Sequence, residues 1–146
     1  MIYIGVDVGK NGAFAVIYPN GIVVEKWDAD RFMDEMIEIA SLNEAVRACV
    51  EHVWALPRES AKASFSFGHN KGFIEGVLRT LEIPYQLVVP QTWKKEFGLN
   101  SDKAKSIEVC RKLFPSVSLL KTPRCTKPHD GMAEALLMAE YARRKL

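Results

Sequence analysis

The apolar residues of the first 27 positions form three short runs that are separated by turn signals. The runs cover residues 2–8, 13–18 and 22–27, and an Asn-Gly pair lies in each gap between them. Gaps this short join antiparallel strands in hairpins. The pattern therefore predicts a three-stranded antiparallel meander at the start of the chain.

Helical and extended patterns alternate along the rest of the chain. Asp30 precedes apolar residues at helical spacing and is the predicted N-cap of a first helix. Further helices are predicted around residues 73–81, 104–114 and 132–141, strands at 48–56 and 85–89, and a polar connecting stretch at 58–66. Strands joined by crossovers need helices on their faces. The order predicts one α/β domain over residues 1–146, with a mixed five-stranded sheet covered by helices on both faces.

Composition narrows the class of protein. The chain has 146 residues, of which 48% are apolar and 26% are charged, so it is an ordinary globular sequence rather than a disordered or fibrous one. Its three cysteines have no zinc-ligand spacing, which favours reduced thiols in a cytoplasmic protein. The sequence has no run of 18 apolar residues and no export signal, so we expect no membrane partner.

Charge is divided unevenly between the two ends of the chain. Residues 1–56 contain 4 lysines and arginines against 9 acidic residues, whereas residues 57–146 contain 16 against 9. The stretch 94–127 alone carries 9 basic residues and 3 acidic ones. Such a concentration favours a polyanionic partner such as a nucleic acid. A solvated helix face is the alternative interpretation.

Four acidic residues occupy positions that disfavour an isolated charge. Asp7 and Glu51 each lie inside an apolar run that predicts a buried strand, where an unpaired carboxylate is costly. Asp130 and Glu134 lie four residues apart at the start of the last predicted helix, where their like charges repel. A shared cation would explain all four. Taken singly, they are instead a strand-end acid, the partner of a lysine, and acids that suit a helix N-terminus.

Magnesium or manganese fits these ligands, because hard divalent ions take oxygen donors. Two such ions about 3.5–4 Å apart can hold both the attacking and the leaving oxygen of a phosphodiester. Asp7, Glu51, Asp130 and Glu134 are therefore the predicted catalytic residues and the predicted ligands of two Mg²⁺ or Mn²⁺ ions. Hydrolysis of this kind needs no covalent protein intermediate and no organic cofactor.

Five segments of the chain together resemble the RuvC-type Holliday junction resolvases, above all the compact phage-encoded members. They are residues 4–12, 50–53, 67–78, 89–95 and 129–137, in the order that the family has them. The resemblance implies an RNase H-like fold, a homodimer and magnesium-dependent cutting of branched DNA. It matches Asp7 with the family's first-strand aspartate, Glu51 with the fourth-strand glutamate, and Asp130 and Glu134 with the acidic pair of the last helix.

The acidic pair departs from the bacterial pattern of that family. The pattern has two aspartates three residues apart, whereas Asp130 and Glu134 are four apart and the second acid is a glutamate. Aligned on the following Ala-Leu, Glu134 replaces the second aspartate and Asp130 lies one residue early. Which of the two contacts a metal stays open, and His129 is a further candidate as a ligand or a proton carrier.

The resemblance also indicates residues that contact DNA. Phe65 and Phe67 belong to a segment that faces the junction centre in the family, where an exposed ring can stack on unpaired bases. Basic and amide side chains near the carboxylates are candidate phosphate contacts. The predicted DNA-binding residues are Lys10, Asn11, Phe65, Phe67, Lys71, Lys94, Lys95, Lys103 and Lys105.

These observations predict a magnesium-dependent endonuclease that resolves four-way DNA junctions. Two symmetric cuts require two copies of one active site, so we expect a homodimer whose interface lies in residues 58–81. Three alternatives stay open. They are a nuclease of the same fold that acts on flaps or RNA/DNA hybrids, a DNA-binding protein without activity, and a phosphate-binding module of the actin and sugar-kinase type, which this chain length disfavours.

Overall fold

The strands form close to where the apolar runs predict them. The computed structural model describes residues 1–9 and 11–146, so the predicted DNA-binding residue Lys10 lies outside the described residues. The strands are β1 (Ile2–Asp7), β2 (Ala13–Tyr18), β3 (Gly21–Lys26), β4 (Val46–Glu51) and β5 (Tyr85–Val88). β1, β2 and β4 are buried along most of their length, which requires cover on both faces of the sheet.

The sheet combines an antiparallel meander with parallel crossover strands. In the described part of the chain its order is β3-β2-β1-β4-β5. β1 pairs antiparallel with β2, and β2 with β3, whereas β4 runs parallel to both β1 and β5. The prediction of a mixed five-stranded α/β sheet is confirmed. The register aligns Val6 with Val50, which brings the next residues, Asp7 and Glu51, together at one edge of the sheet.

Helices cover both faces of this sheet, as predicted. They are α1 (Ala29–Ser41), α2 (Ala61–Thr80), α3 (Pro90–Glu96), α4 (Lys103–Leu113) and α5 (Asp130–Lys145). Apolar residues of α1 and α2 form one buried cluster with the sheet, and those of α3, α4 and α5 form the other. No helix in the described part of the chain combines the length and the hydrophobicity of a membrane-crossing segment.

Helix α5 lies directly against β1, and a glycine makes this approach possible. A Cβ added at Gly5 would lie 2.1 Å from the carbonyl oxygen of Ala135 and 2.4 Å from the amide nitrogen of Ala139. No side chain fits at such distances. The absence of a side chain at Gly5 thus fixes how closely the acidic first turns of α5 approach the end of β1.

Two element boundaries differ from the prediction at α1 and β4. The N-cap of α1 is Asp28, whose extended backbone lets its carboxylate accept from the amide of Arg31, while Asp30 lies in the first turn. β4 ends at Glu51 rather than at residue 56. Its neighbour β5 ends at Val88, which pairs with Glu51, so residues 52–56 have no strand beside them and leave the sheet.

The other two differences concern helices. α2 begins at Ala61, within the stretch predicted as a polar connection, because Ser60 caps it by accepting from the amide of Ala63. Its first turns are polar since they project into solvent, which hides the helix from an apolar pattern. α3 was not predicted at all. Pro90 at its first position is the sequence signal that marks it.

Candidate functional site

Three of the four predicted carboxylates converge at one edge of the sheet. Asp7 ends β1, Glu51 ends β4 and Glu134 lies in the second turn of α5. One carboxylate oxygen from each residue lies within 4.8 Å of those of the other two. The parallel register brings Asp7 and Glu51 together, and the close packing of α5 on Gly5 brings Glu134 to them.

The start of α5 is held against the turn that follows β1. A Cβ added at Gly131 would lie 2.5 Å from the carbonyl oxygen of Asn11 and 3.1 Å from Oδ2 of Asp7. A Cβ at Gly12 would lie 2.0 Å from the carbonyl oxygen of Asp7. Both glycines therefore leave room for backbone beside Asp7, and a larger residue at either one would displace it.

Burial and mutual repulsion raise the pKa values of two of these acids. The pKa of Asp7 lies well above its usual range, first because its carboxyl is desolvated and then because Glu51 and Glu134 are close. Desolvation also raises the pKa of Glu51, although a hydrogen bond from Trp93 works against it. Two neighbouring acids whose charged forms are disfavoured are typical of a site that receives a cation.

Neighbouring side chains hold the carboxylates of Glu51 and Glu134 in place. Trp93, which is fully buried, donates from Nε1 to Oε2 of Glu51 over 3.2 Å. Oε1 of Glu134 lies 3.6 Å from Nζ of Lys94 and accepts from the Ser106 hydroxyl over 3.5 Å. These groups come from α3 and α4, so helices that contribute no acid to the site still orient its acids.

Asp130, the fourth predicted carboxylate, lies outside this cluster of three. Among the described residues its partner is Lys103, whose Nζ lies 3.0 Å from Oδ2. Burial alone would raise the pKa of Asp130, but the hydrogen bond and the charge of Lys103 outweigh it and lower that pKa. Asp130 still contributes to the repulsion felt by Asp7. It is an outer acid of the site rather than a member of its centre.

His129 is buried and caps α5. Its Nδ1 accepts from the amide of Met132 over 2.9 Å, and its own amide donates to the carbonyl of Leu119 over 2.7 Å. Burial, followed by the positive charge of Lys121, lowers the pKa of His129, which suits an imidazole whose Nδ1 must accept. His129 is thus the N-cap of α5, and Asp130 is the acid in its first turn.

The donor set fits hard divalent cations. Four acids lie at the site, and two lysines, Lys94 and Lys103, pair with two of them. Asp7 and Glu51 have no basic partner within 4 Å among the residues that the structure describes, and desolvation raises the pKa of both. Carboxylate oxygens with excess negative charge are the ligands that Mg²⁺ and Mn²⁺ take.

The predicted DNA-binding residues divide into two groups. Lys94 and Lys103 pair with site carboxylates, and Lys71 pairs with Glu75 on its own helix at 2.5 Å. Asn11, Lys95 and Lys105 are exposed. The sequence alone does not separate a lysine that neutralises a carboxylate from one that faces a partner, because both kinds occur in the basic stretch 94–127.

The aromatic candidates also differ from each other. Phe65 is 78% exposed on α2, whereas Phe67 is half-buried and lines a cavity of about 710 Å³ that Gly9, Trp27 and Ser60 share. Sequence reasoning missed Trp54, which is 58% exposed and packs edge-on against His52. Trp54 lies three residues after Glu51, in an apolar run that predicts a buried strand, so the sequence gives no sign that it is exposed.

Comparisons with known proteins give fold neighbours alone. No family model matches the sequence, and no curated protein does. A structure of T. thermophilus RuvC in complex with a Holliday junction substrate aligns with a TM-score of 0.65 and 15% identity, over 99% of this chain and 97% of that one. Another Thermus thermophilus RuvC structure aligns with a TM-score of 0.57 and 16% identity, over 99% of this chain and 96% of that one. The chain therefore has the RuvC-like α/β fold.

Proposed function

We propose that this protein is a divalent-metal-dependent DNA endonuclease that resolves four-way junctions. The observation that carries the proposal is the cluster of Asp7, Glu51 and Glu134, with an oxygen of each within 4.8 Å of the others. The RuvC-like fold supports it, because one structural neighbour was solved with a Holliday junction substrate. We infer further that residues 1–146 act as one nuclease domain.

Each residue of the site has a distinct task in this reaction. Asp7, Glu51 and Glu134 would hold Mg²⁺ or Mn²⁺, with Asp130 as an outer ligand. When bound, such ions supply an activated water and offset the charge on the leaving oxygen. Trp93 orients Glu51 by donating to it, and this bond opposes the rise that burial causes in the pKa of Glu51. Lys94 and Ser106 orient Glu134.

Several exposed side chains suit a branched substrate. Trp54 and Phe65 project from the loop after β4 and from α2, and an exposed ring can stack on bases that leave the duplex. Lys95, Lys105 and Asn11 are available to phosphates. Because unpaired bases occur at branch points and not in regular duplex, these rings favour a junction over linear DNA.

A homodimer is the assembly that two symmetric cuts require. Helix α2 offers a surface for it. Gly68, Gly72 and Gly76 are spaced by four residues on its exposed side, and a Cβ added at any of them meets no described atom within 4 Å. The neighbouring groove of about 410 Å³ is lined by apolar residues that include Phe73 and Ile37. A second copy of α2 is the occupant that we propose.

The dimer has a direct test. Gly72→Glu places a charge on this face without a clash inside the protomer, so it should yield a monomer that makes independent single nicks. Lys112→Glu, on exposed α4, is the control that should stay dimeric. Sedimentation that shows a wild-type monomer, both free and on junction DNA, would contradict the dimer.

A substrate panel tests the activity. Four-way junction, flap, RNA/DNA hybrid and linear duplex are incubated with Mg²⁺, Mn²⁺ or Ca²⁺. We expect paired nicks in the junction with Mg²⁺ or Mn²⁺, and no cutting with Ca²⁺, whose looser coordination misplaces the attacking water. Asp7→Asn should abolish cutting and leave junction binding intact, while Asp34→Asn, an exposed acid of α1, should cut normally.

The panel also separates the alternatives. Cutting of flaps or hybrids with the junction left intact would replace junction resolution by a nuclease of another specificity. Junction binding without cutting under any metal would indicate a DNA-binding protein. Cutting by Asp7→Asn at the wild-type rate would exclude the carboxylate site. A cytoplasmic location and a phage or prophage source stay predictions.

A further inference from the structure

The loop between α4 and α5 is basic and lies beside the candidate site. A cavity of about 520 Å³ opens there, and its lining includes Lys121, Arg124, Lys127, His129 and Asp130. His129 caps α5 and Asp130 is the outer acid of the candidate site. The cavity therefore shares a wall with that site without containing its central acids.

The cations of this cavity differ from those inside the site. Lys94 and Lys103 each lie within 4 Å of a site carboxylate. In the described part of the chain, no carboxylate comes within 4 Å of Lys121, Arg124 or Lys127, and all three are exposed. Asp130, the acid in the cavity wall, is already paired with Lys103. The three cations are thus available to an anion from outside the chain.

Lys26 extends the same positive field from the end of β3. The pKa of the Cys125 thiol is lowered first by its hydrogen bonds with Thr122 and then by the charges of Lys121 and Lys26. Lys121 and Lys26 are distant in sequence, yet the charges of both act on the Cys125 thiol. A field of this sign attracts phosphate and offsets the repulsion that the carboxylates exert on it.

The loop is anchored at several points. The amide of Cys125 donates to the carbonyl of Thr122 over 3.1 Å, and the Thr122 hydroxyl lies 3.3 Å from the Cys125 sulfur. At the end of the loop, the amide of His129 donates to the carbonyl of Leu119, which is buried. A basic loop that is already ordered loses less conformational entropy when an anion binds.

We propose that Lys121, Arg124 and Lys127 bind successive backbone phosphates of the substrate strand next to the scissile phosphate. The inference rests on the proposed nuclease function and deepens it. Arginine offers a planar pair of donors to phosphate oxygens, and lysine a compact charge. Because Asp130 and His129 belong to both the cavity and the site, a phosphate held here fixes the strand beside the central carboxylates. The loop is thus a positioning element.

Neutralising the three cations tests this assignment. Lys121→Gln/Arg124→Gln/Lys127→Gln is compared with Arg47→Gln/Arg143→Gln/Lys145→Gln, which removes the same charge. In the control, Arg47 lies near the start of β4, and Arg143 and Lys145 lie at the end of α5, away from the carboxyl end of β1. Binding to a four-way junction is measured against salt in an Asp7→Asn background, so that the DNA stays uncut.

The expected result is a smaller salt dependence of binding. Each lost phosphate contact removes about 0.9 from the slope of log K against log salt, so the loop variant should lose about 2–3 units if each cation meets one phosphate. The control should keep the wild-type slope. Cutting is measured separately, in protein that keeps Asp7. There the KM for junction cutting should rise in the loop variant while kcat stays close to the wild-type value, which a merely unstable loop would not produce.

Each outcome bears on a different proposal. A loop variant whose slope and KM equal those of the control overturns the phosphate site and leaves the nuclease intact. A wild-type chain that neither binds nor cuts branched DNA overturns both. If the triple variant fails to fold by circular dichroism, Arg124→Gln alone decides the question, because it should still lose about 0.9 of the slope.

Discussion

Trp93 and Glu51 are joined by a buried hydrogen bond of 3.2 Å, from the indole Nε1 to Oε2. The two residues are 42 positions apart and lie on α3 and β4. Trp93 is fully buried, so its indole ring fills part of the core while its Nε1 donates to a site carboxylate. The bond makes the short helix α3 part of the carboxylate geometry.

Trp93→Phe should separate these two roles. The phenyl ring keeps most of the packing, whereas the lost donor raises the pKa of Glu51 further. A hydrogen bond to a charged group contributes about 1.5–3 kcal/mol, so activity near neutral pH should fall by about tenfold or more and the acidic limb of the pH–rate profile should move to higher pH. Tyr141→Phe, in the same core, is the control. A fall in activity without movement of that limb would mean that only packing was lost.

Asp7→Asn should make the metal-free protein more stable. The folded pKa of Asp7 is raised, so its ionised form costs stability above that pKa, and the cost disappears as the pH falls below the unfolded value. At pH 7 in a chelator, the variant should therefore melt higher, by about 2–4 °C for each kcal/mol relieved. Added Mg²⁺ should raise the Tm of the wild type and have little effect on the variant. Equal metal responses would contradict a metal site at Asp7.

Glu75→Gln should reveal a pH-dependent contribution of α2. Lys71 first, and Tyr85 next, lower the pKa of Glu75 below 4.5. These contacts of the ionised Glu75 therefore stabilise the fold fully above the pKa that Glu75 has in the unfolded chain. The stabilisation is lost as the pH falls through the lowered pKa of Glu75 in the folded protein. Urea unfolding should show the variant less stable by about 1 kcal/mol at pH 7, with the gap closing as the pH falls through the lowered pKa of Glu75. A gap that is constant with pH would assign the loss to shape rather than charge.

Gly5→Ala and Gly72→Ala should change the free energy of unfolding in opposite directions. At Gly5 the new methyl meets backbone of Ala135 and Ala139, so the variant should lose about 1–3 kcal/mol or more, as overpacked sites do. At Gly72, on exposed α2, no described atom lies within 4 Å, and alanine should gain about 0.5–1 kcal/mol. Thermal melts of both variants measure this. If they melt alike, the closeness of α5 to β1 does not depend on Gly5.

Apolar runs predicted the strands that carry Asp7 and Glu51. The two acids were predicted as site residues because a carboxylate inside an apolar run is unusual in any buried strand. The sequence did not predict the difference between Asp130 and Glu134. Four residues apart on one helix, they share a face, and the pairing that draws Asp130 outward comes from Lys103, 27 positions earlier. Such a pairing depends on how α4 docks against α5, which local patterns do not encode.

The same limit applies to the lysines of residues 94–127. Charge density predicted a polyanion partner, yet Lys94 contacts a site carboxylate and Lys121 does not. Only the packed structure separates them. Trp54 was missed for a related reason. An apolar residue after a strand looks like its continuation, unless one knows that the neighbouring strand has already ended at Val88.

The three central carboxylates all lie on strands or a helix, whereas Trp54 and the cations of Lys121 and Arg124 lie on loops. Loops accept substitutions and insertions that a close-packed interface such as that of Gly5 with α5 does not. The chemistry and the choice of substrate can therefore diverge independently. A library randomised at residues 52–56 and 120–128 should change which DNA shapes are cut while the metal requirement stays the same, so this small scaffold is suited to engineering nucleases of new shape selectivity.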